Sequence, residues 1–131
     1  MPPKKKSSHL TEAELRIMNI VWEKEKATVA DVVASLSGEL NLAYNTVLTT
    51  MRILESKGFL KHAKAKDARA FVYQPVVART EATRNAVRHL LRRFFGDSAE
   101  ALVLNLLEDD VIDDTELKSI RRLLQKKGGA K

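Results

Sequence analysis

Within residues 43–57, Asn45, Thr46, Thr49, Arg52 and Ser56 fall in one sector when the chain is wound at about 100° per residue. Asn pairs bidentately with adenine, Arg pairs with guanine, and a Thr methyl meets the methyl of thymine, so this face carries the groups that read base edges in a major groove. Thr46 and Thr49 strengthen that reading, because two β-branched polar residues lower helix propensity with no benefit to packing. Arg52 has a structural alternative, a surface ion pair with Glu55 or an acid elsewhere. The opposite sector holds Tyr44, Val47, Leu48, Met51 and Leu54 and predicts a buried stripe. Tyr44 is therefore read two ways, as a phosphate contact and, by its phase, as core packing at the helix start. Ile53, apolar on the polar side, is assigned to contact with the segment that follows.

Charge points to the same class of partner. The 131 residues contain 23 Lys and Arg against 17 Asp and Glu, a net charge of +6, which favours an anionic ligand such as nucleic acid. Lys64, Lys66 and Arg69 crowd one short connection, and Lys4, Lys5 and Lys6 crowd the N-terminus, so both segments can neutralise phosphates. Other chemistries fall away. There is no Cys, hence no disulfide, thiolate zinc site or cysteine nucleophile. His9, His62 and His89 are too far apart for a helical metal pair, and Gly38, Gly58 and Gly96 form no phosphate-cradling loop. No enzyme activity, metal or cofactor is expected. Residues 1–9 have the lysines of a signal peptide without its apolar stretch, and the longest apolar run, residues 101–107, contains Asn105 and is far short of ~20 residues. A cytoplasmic protein without direct membrane binding is expected.

The elements that position these residues follow from capping and periodicity. Thr11 and Glu14 have capping-box spacing, Leu10 and Leu15 suit a hydrophobic staple, and Leu15, Met18, Val21 and Trp22 give a helix over residues 12–23 its inward stripe, with Trp22 in the core. Residues 24–26 read as a solvated turn. Thr28 caps a second helix, residues 29–36, buried through Val29, Val32, Val33 and Leu36. Gly58 ends the third. Residues 59–63 and 70–74 read as two strands around the basic connection, and Pro75 stops the second. Three helices and a basic hairpin make a winged helix-turn-helix, whose third helix enters the major groove while the hairpin flanks it.

After Pro75 three further helices are expected. Thr80 caps one that reaches Phe95 with Val87, Leu90, Leu91 and Phe94 apolar; Asp97 or Ser98 caps one through residues 101–107; Asp113 or Asp114 caps a last one with Leu117, Ile120, Leu123 and Leu124. Three such short helices bury little alone, and their apolar content predicts either docking on the first domain or dimerisation through swapped helices, with Val87, Leu91, Phe94, Leu102, Val103, Leu106, Leu107, Leu117, Ile120 and Leu124 at the dimer interface. The fold class expected is mainly α with a β-hairpin wing: a basic tail (residues 1–9), a winged helix-turn-helix (10–78), a helical dimerisation domain (79–127) and a short C-terminal tail (128–131). Arg79, Arg84, Arg88, Arg92 and Arg93 precede an interval from Asp97 to Glu116 with eight acids and no Lys or Arg, a segregation that suits pairing between segments or subunits as well as solvated helix faces.

The run from Ala43 to Leu60, AYNTVLTTMRILESKGFL, followed by RAFVYQP at Arg69–Pro75, resembles the BlaI/MecI penicillinase-repressor family. The opening LTEAE at Leu10–Glu14 and LVLNLLE at Leu102–Glu108 fit it as well, so the resemblance covers residues 10–124. It implies a homodimeric repressor, not an enzyme, with winged helices on an inverted-repeat DNA operator and C-terminal helices joining the subunits. It also implies control of resistance genes and inactivation by a membrane sensor metalloprotease that cuts an Asn-Phe bond in the dimerisation region. The matching bond here is Asn105-Leu106, with Leu in place of Phe. Read from the residues alone, Asn105 instead suits register and partner choice across an apolar dimer interface. The copper-responsive branch of the family uses C-terminal cysteines, which this chain lacks. Two other classes fit the residues: a winged-helix regulator that binds a small molecule between its domains, and a winged-helix module that holds another protein.

Overall fold

The computed structural model describes residues 9–37, 42–66 and 70–129. Its elements are α1 (Glu12–Lys24), α2 (Val29–Leu36), α3 (Tyr44–Ser56), β1 (Leu60–Lys64), β2 (Phe71–Pro75), α4 (Arg79–Phe95), α5 (Ala99–Glu108) and α6 (Asp114–Gly129). Six helices with one antiparallel hairpin, in this order, are the architecture that the periodicities predict. The chain divides into two compact units, residues 1–87 and 88–131, with α4 running through the division.

In the first unit, α1 and α2 both start from capping boxes. The Thr11 hydroxyl accepts from the Glu14 N–H at 3.2 Å while the Glu14 carboxylate accepts from the Thr11 N–H at 2.9 Å. Thr28 and Asp31 do the same at 3.0 Å in each direction. The core comprises Ile17, Met18 and Val21 of α1, Ala27 just before α2, Val29, Val32 and Leu36 of α2, Val47, Met51 and Leu54 of α3, then Phe59, Leu60, Tyr73 and Ala82. The buried face of α1 is thus rotated from the expected one. Ile17 is enclosed, Leu15 is exposed, and among the described residues Glu14 is the buried charged one. The reason is a partner just past the end of α3: Lys57 Nζ lies 2.8 Å from Glu14 Oε1, which makes the inward turn of a carboxylate tolerable. Leu10 packs on the core without an enclosed Leu15 opposite, so the expected staple is not the anchor of this terminus.

The hairpin register pairs Leu60 with Pro75, His62 with Tyr73 and Lys64 with Phe71. Residues 24–26 lead into something more than a solvated turn, because the next residue, Ala27, forms an antiparallel bridge with Tyr73. Its N–H donates to the Tyr73 carbonyl at 3.0 Å and its carbonyl accepts from the Tyr73 N–H at 2.8 Å. The wing is therefore sewn by backbone to the α1–α2 connection. Gly58, at φ 92, makes the turn from α3 into β1 that a residue with a Cβ resists. Trp22 is half-buried rather than enclosed: its indole N–H donates to the Val77 carbonyl at 2.9 Å and the Arg79 guanidinium lies 5.3 Å from its ring centroid. That clamp fixes the start of α4. The helix begins at Arg79, so Thr80 lies inside its first turn and is not the cap.

In the second unit, α4 ends through Gly96 (φ 55), with the Asp97 N–H reaching back to the Leu91 carbonyl at 2.9 Å. Ser98, not Asp97, caps α5 by accepting from the Ala101 N–H at 3.0 Å. Asp113, not Asp114, starts α6, in a reciprocal box with Glu116. Asp97 has φ 67, outside the extended conformation an N-cap needs, which decides between the neighbours. Among the described residues of this unit none is buried, and no helix is long and apolar enough to cross a membrane.

Candidate nucleic-acid interface

Helix α3 presents two chemically distinct faces. Val47, Met51 and Leu54 are fully enclosed, while Asn45, Thr46, Thr49 and Arg52 are exposed. Among the described residues the side chains of Asn45, Thr46 and Thr49 make no hydrogen bond, so their donors and acceptors are available to a ligand. Thr50, one turn on from Thr46, is instead spent locally, its hydroxyl donating to the Thr46 carbonyl at 2.9 Å. Tyr44 is 53% exposed, which overturns its phase-based assignment to the core. It occupies the first helical position, beyond the reach of the core, and stands beside the exposed polar face. Ala43 at the N-cap has no side-chain acceptor, so the positive end of α3 is left without an internal cap.

Tyr44, Leu48 and Arg52 of α3, Thr28 and Val29 at the start of α2, and Phe71 and Tyr73 of the wing surround an open cleft of about 300 Å³. The exposed polar face of α3 thus continues into a groove shared by two helix starts and the hairpin. Arg52 does not pair with Glu55, because His62 takes that carboxylate: Nδ1 lies 2.8 Å from both oxygens. Arg52 lies against the hydroxyl of Tyr73. Burial, and then the Glu55 charge, push that phenol above its ordinary range, with Arg52 opposing. A guanidinium has five donors, so this contact leaves Arg52 able to meet a base.

The wing is held to α3 by side chains as well as backbone. His62 bridges to Glu55, and its ring meets Phe71 edge-on at 4.7 Å and Tyr73 at 5.4 Å. Ile53, expected against the hairpin, is exposed, and Glu55, which His62 of the hairpin meets, lies nearly opposite it on the helix. At the other end of the unit, Lys57 Nζ donates to Glu14 Oε1 and to the His9 carbonyl at 3.3 Å, pinning the C-terminus of α3 to the entry of α1. Burial pushes the Glu14 carboxyl up, but the bonds from Lys57 and Thr11 outweigh it and hold the group below the usual carboxylate range. None of these ties is legible in the sequence, although Glu55 and His62 flank Gly58, and that turn is the one signal that could have paired them.

Of the basic wing residues, Lys64 and Lys66 are exposed, and Arg69 lies outside the described residues, as do Lys4, Lys5 and Lys6. The Ala65 N–H donates to the Ala70 carbonyl at 2.9 Å and closes the hairpin below its tip. No group of His, Cys, Asp and Glu able to hold a metal occurs among the described residues.

In the second unit and the α4 segment leading to it, the residues expected at a subunit interface are all open to some degree. Val87, Phe94, Val103, Leu107, Ile120 and Leu124 are exposed, and Leu91, Leu102, Leu106 and Leu117 are half-buried. Asn105 is exposed, and its peptide bond to Leu106 lies within α5, with the Asn105 carbonyl accepting from the Asp109 N–H at 3.2 Å.

The family model described as penicillinase repressor matches residues 10–126. The chain is 28% identical over 121 residues to the penicillinase repressor of Bacillus licheniformis, covering 92% of this chain and 93% of that one. It is 25% identical over 122 residues to the methicillin resistance regulatory protein MecI of Mammaliicoccus sciuri, covering 93% and 98%. Among solved structures, the DNA-binding domain of the repressor BlaI superposes with a TM-score of 0.51 at 29% identity, over 60% of this chain and 93% of that domain.

Proposed function

The chain belongs to the penicillinase-repressor family of DNA-binding transcriptional repressors, not enzymes, and we propose that it acts as a homodimer that reads an inverted-repeat operator. In this reading residues 10–78 form the DNA-binding domain and residues 79–127 join two copies. Helix α3 lies in the major groove with Asn45, Thr46, Thr49 and Arg52 on base edges and Tyr44 on a phosphate, while Lys64, Lys66 and Arg69 neutralise backbone beside it. The observation that carries the reading is the split character of α3, with three enclosed aliphatics on one side and three hydrogen-bonding side chains without partners on the other. Unspent polar groups on a rigid, well-anchored helix are what base readout requires. Such a protein works in the cytoplasm, on DNA.

Dimerisation follows from the apolar side chains left open on α4, α5 and α6, which a second copy would cover. Each copy then holds one half-site, and linkage between them raises affinity by ~100-fold or more. Release follows when the linkage is cut, for which the family's membrane sensor metalloprotease is the candidate agent and Asn105-Leu106 the candidate bond. Because that bond sits in a helix, cleavage needs α5 to open locally first. Mass spectrometry of the repressor from induced cells would then find a fragment ending at Asn105, and intact protein throughout induction would exclude this route.

The test of the dimeric reading uses the full chain and three duplexes: a whole operator, a single half-site, and an operator with about half a helical turn inserted at its centre. The whole operator binds ~100-fold more tightly than either other duplex if both subunits must face one side of the DNA. Equal affinity for the single half-site would rule out linkage through a dimer.

A further inference from the structure

Helix α4 carries Arg84, Arg88 and Arg92 at four-residue intervals, so they form one row. Beside it runs the stripe of Val87, Leu90 and Phe94, all exposed. The interval from Asp97 to Glu116, spanning α5 and the start of α6, holds eight acids and no Lys or Arg, and it brackets the exposed Val103, Leu104 and Leu107. Among the described residues, Arg84, Arg88 and Arg92 make no ion pair within the chain, and neither do Glu100, Glu108, Asp109, Asp110 or Asp114. Two opposite charge blocks, each lying along an open apolar surface and neither ion-paired within the chain among the described residues, are the make-up of the rim of an interface.

We infer that two copies of this chain recognise each other by charge as well as by apolar area: the arginine row of α4 in one copy faces the acidic α5–α6 segment of the other. The inference rests on the dimer proposed above and adds what selects the partner. In a two-fold interface each copy supplies both halves of the complement, so every contact is made twice. A chain with a different charge pattern would match on apolar area yet meet like charge at the rim, so the device favours self-pairing over pairing with other helical regulators.

The experiment exchanges charges between two full-length chains. One carries Arg88→Glu and Arg92→Glu; the other carries Glu108→Lys and Asp109→Lys. Each alone sets like against like in both symmetric contacts, whereas the mixture restores opposite charge in both. With exposed pairs worth up to about fivefold each and four contacts altered, each variant alone should dimerise ~10-fold or more weakly by sedimentation equilibrium at low salt. The equimolar mixture should return to the parent affinity as a heterodimer visible by native mass spectrometry. Circular dichroism confirms that each variant remains helical, and the unmodified chain gives an independent reading, since its own dimer should weaken as NaCl rises from about 0.05 to 0.5 M.

Variants that dimerise like the parent, together with a salt-independent parent, would overturn the inference while leaving the dimer intact. Weakening without rescue on mixing would assign the pairs to one chain and also overturn it. Unchanged dimers with reduced DNA affinity would make the row a phosphate contact and overturn it too. A parent that is monomeric at every concentration would defeat the dimer reading itself, a separate failure.

Discussion

Replacing Glu14 probes the joint on which the geometry of α3 depends. Its carboxylate is buried and accepts from the Thr11 N–H at 2.9 Å and from Lys57 Nζ at 2.8 Å. Glu14→Ala removes the reach-back half of a capping box, worth about 1 kcal/mol, and a charge-assisted bond, worth about 1.5–3 kcal/mol. Relief of the desolvated carboxylate offsets part of this, so a net loss of about 2–3 kcal/mol is expected. Glu14→Gln keeps an acceptor for Thr11 and loses the charge, and should cost about 1–2 kcal/mol. Urea unfolding of the full chain followed by circular dichroism measures both, at fixed protein concentration because dimerisation contributes to stability. The folded Glu14 carboxyl is held below its ordinary range, so the advantage over Gln is complete above the unfolded value of about 4.3 and is lost as pH falls through the folded value. The gap between parent and Gln variant is therefore flat from about pH 8 to pH 5 and narrows below about pH 4. A cost for Ala under about 0.5 kcal/mol at neutral pH, or a gap that stays constant on acidification to about pH 3, would refute the reasoning.

Three further predictions concern the clamp and the interface. Trp22→Phe leaves the Val77 carbonyl without its donor and should lower stability by about 1 kcal/mol, read as a fall of about 4–8 °C in Tm for a unit of this size; an unchanged Tm would mean the indole bond is idle. Asn45→Ala and Arg52→Ala should each weaken operator binding by about 1–3 kcal/mol and relax preference at one base position, with binding to random duplex unaffected. An equal loss on both DNAs in gel-shift titrations would reassign these side chains to the backbone. Lys64→Gln and Lys66→Gln should lower affinity on every sequence alike, each reducing the slope of log affinity against log salt by about 1; an unaltered slope would take the wing off the phosphates.

Much of this fold is legible in the residues alone, because the signals are local. Thr11 with Glu14, Thr28 and the paired faces of α3 specify their helices from within a few residues, and Gly58 and Gly96 mark ends that need positive φ. What escapes the sequence is what one element does for another. Glu14 reads as solvent-facing until Lys57, 43 positions on, supplies its counter-charge, and that exchange turns the face of α1 away from Leu15. The Ala27–Tyr73 bridge leaves no trace in periodicity, since one pair of backbone bonds imposes no alternation. Tyr44 has the phase of a core residue but sits at the first helical position, where phase alone does not ensure cover. Choosing Ser98 over Asp97 as a cap needs the φ of Asp97, a property of the preceding turn rather than of residue type. In the candidate site, the identities on α3 are readable because the side chains are exposed, whereas the Arg52–Tyr73 contact and the His62–Glu55 tie that sets the wing against them are tertiary.

Whether the open face of α3 reads base sequence is tested most directly by selection from a randomised duplex pool. The purified full-length protein is held at ~0.15 M salt, where sequence-blind binding is only ~10⁻⁴ to 10⁻⁶ M, and the bound fraction is sequenced over successive rounds. An inverted repeat should be enriched, and that enrichment should vanish when Asn45, Thr46, Thr49 and Arg52 are replaced together by Ala. A pool that stays random with the unmodified chain would contradict base reading by α3, leaving the basic charge as a purely electrostatic contact.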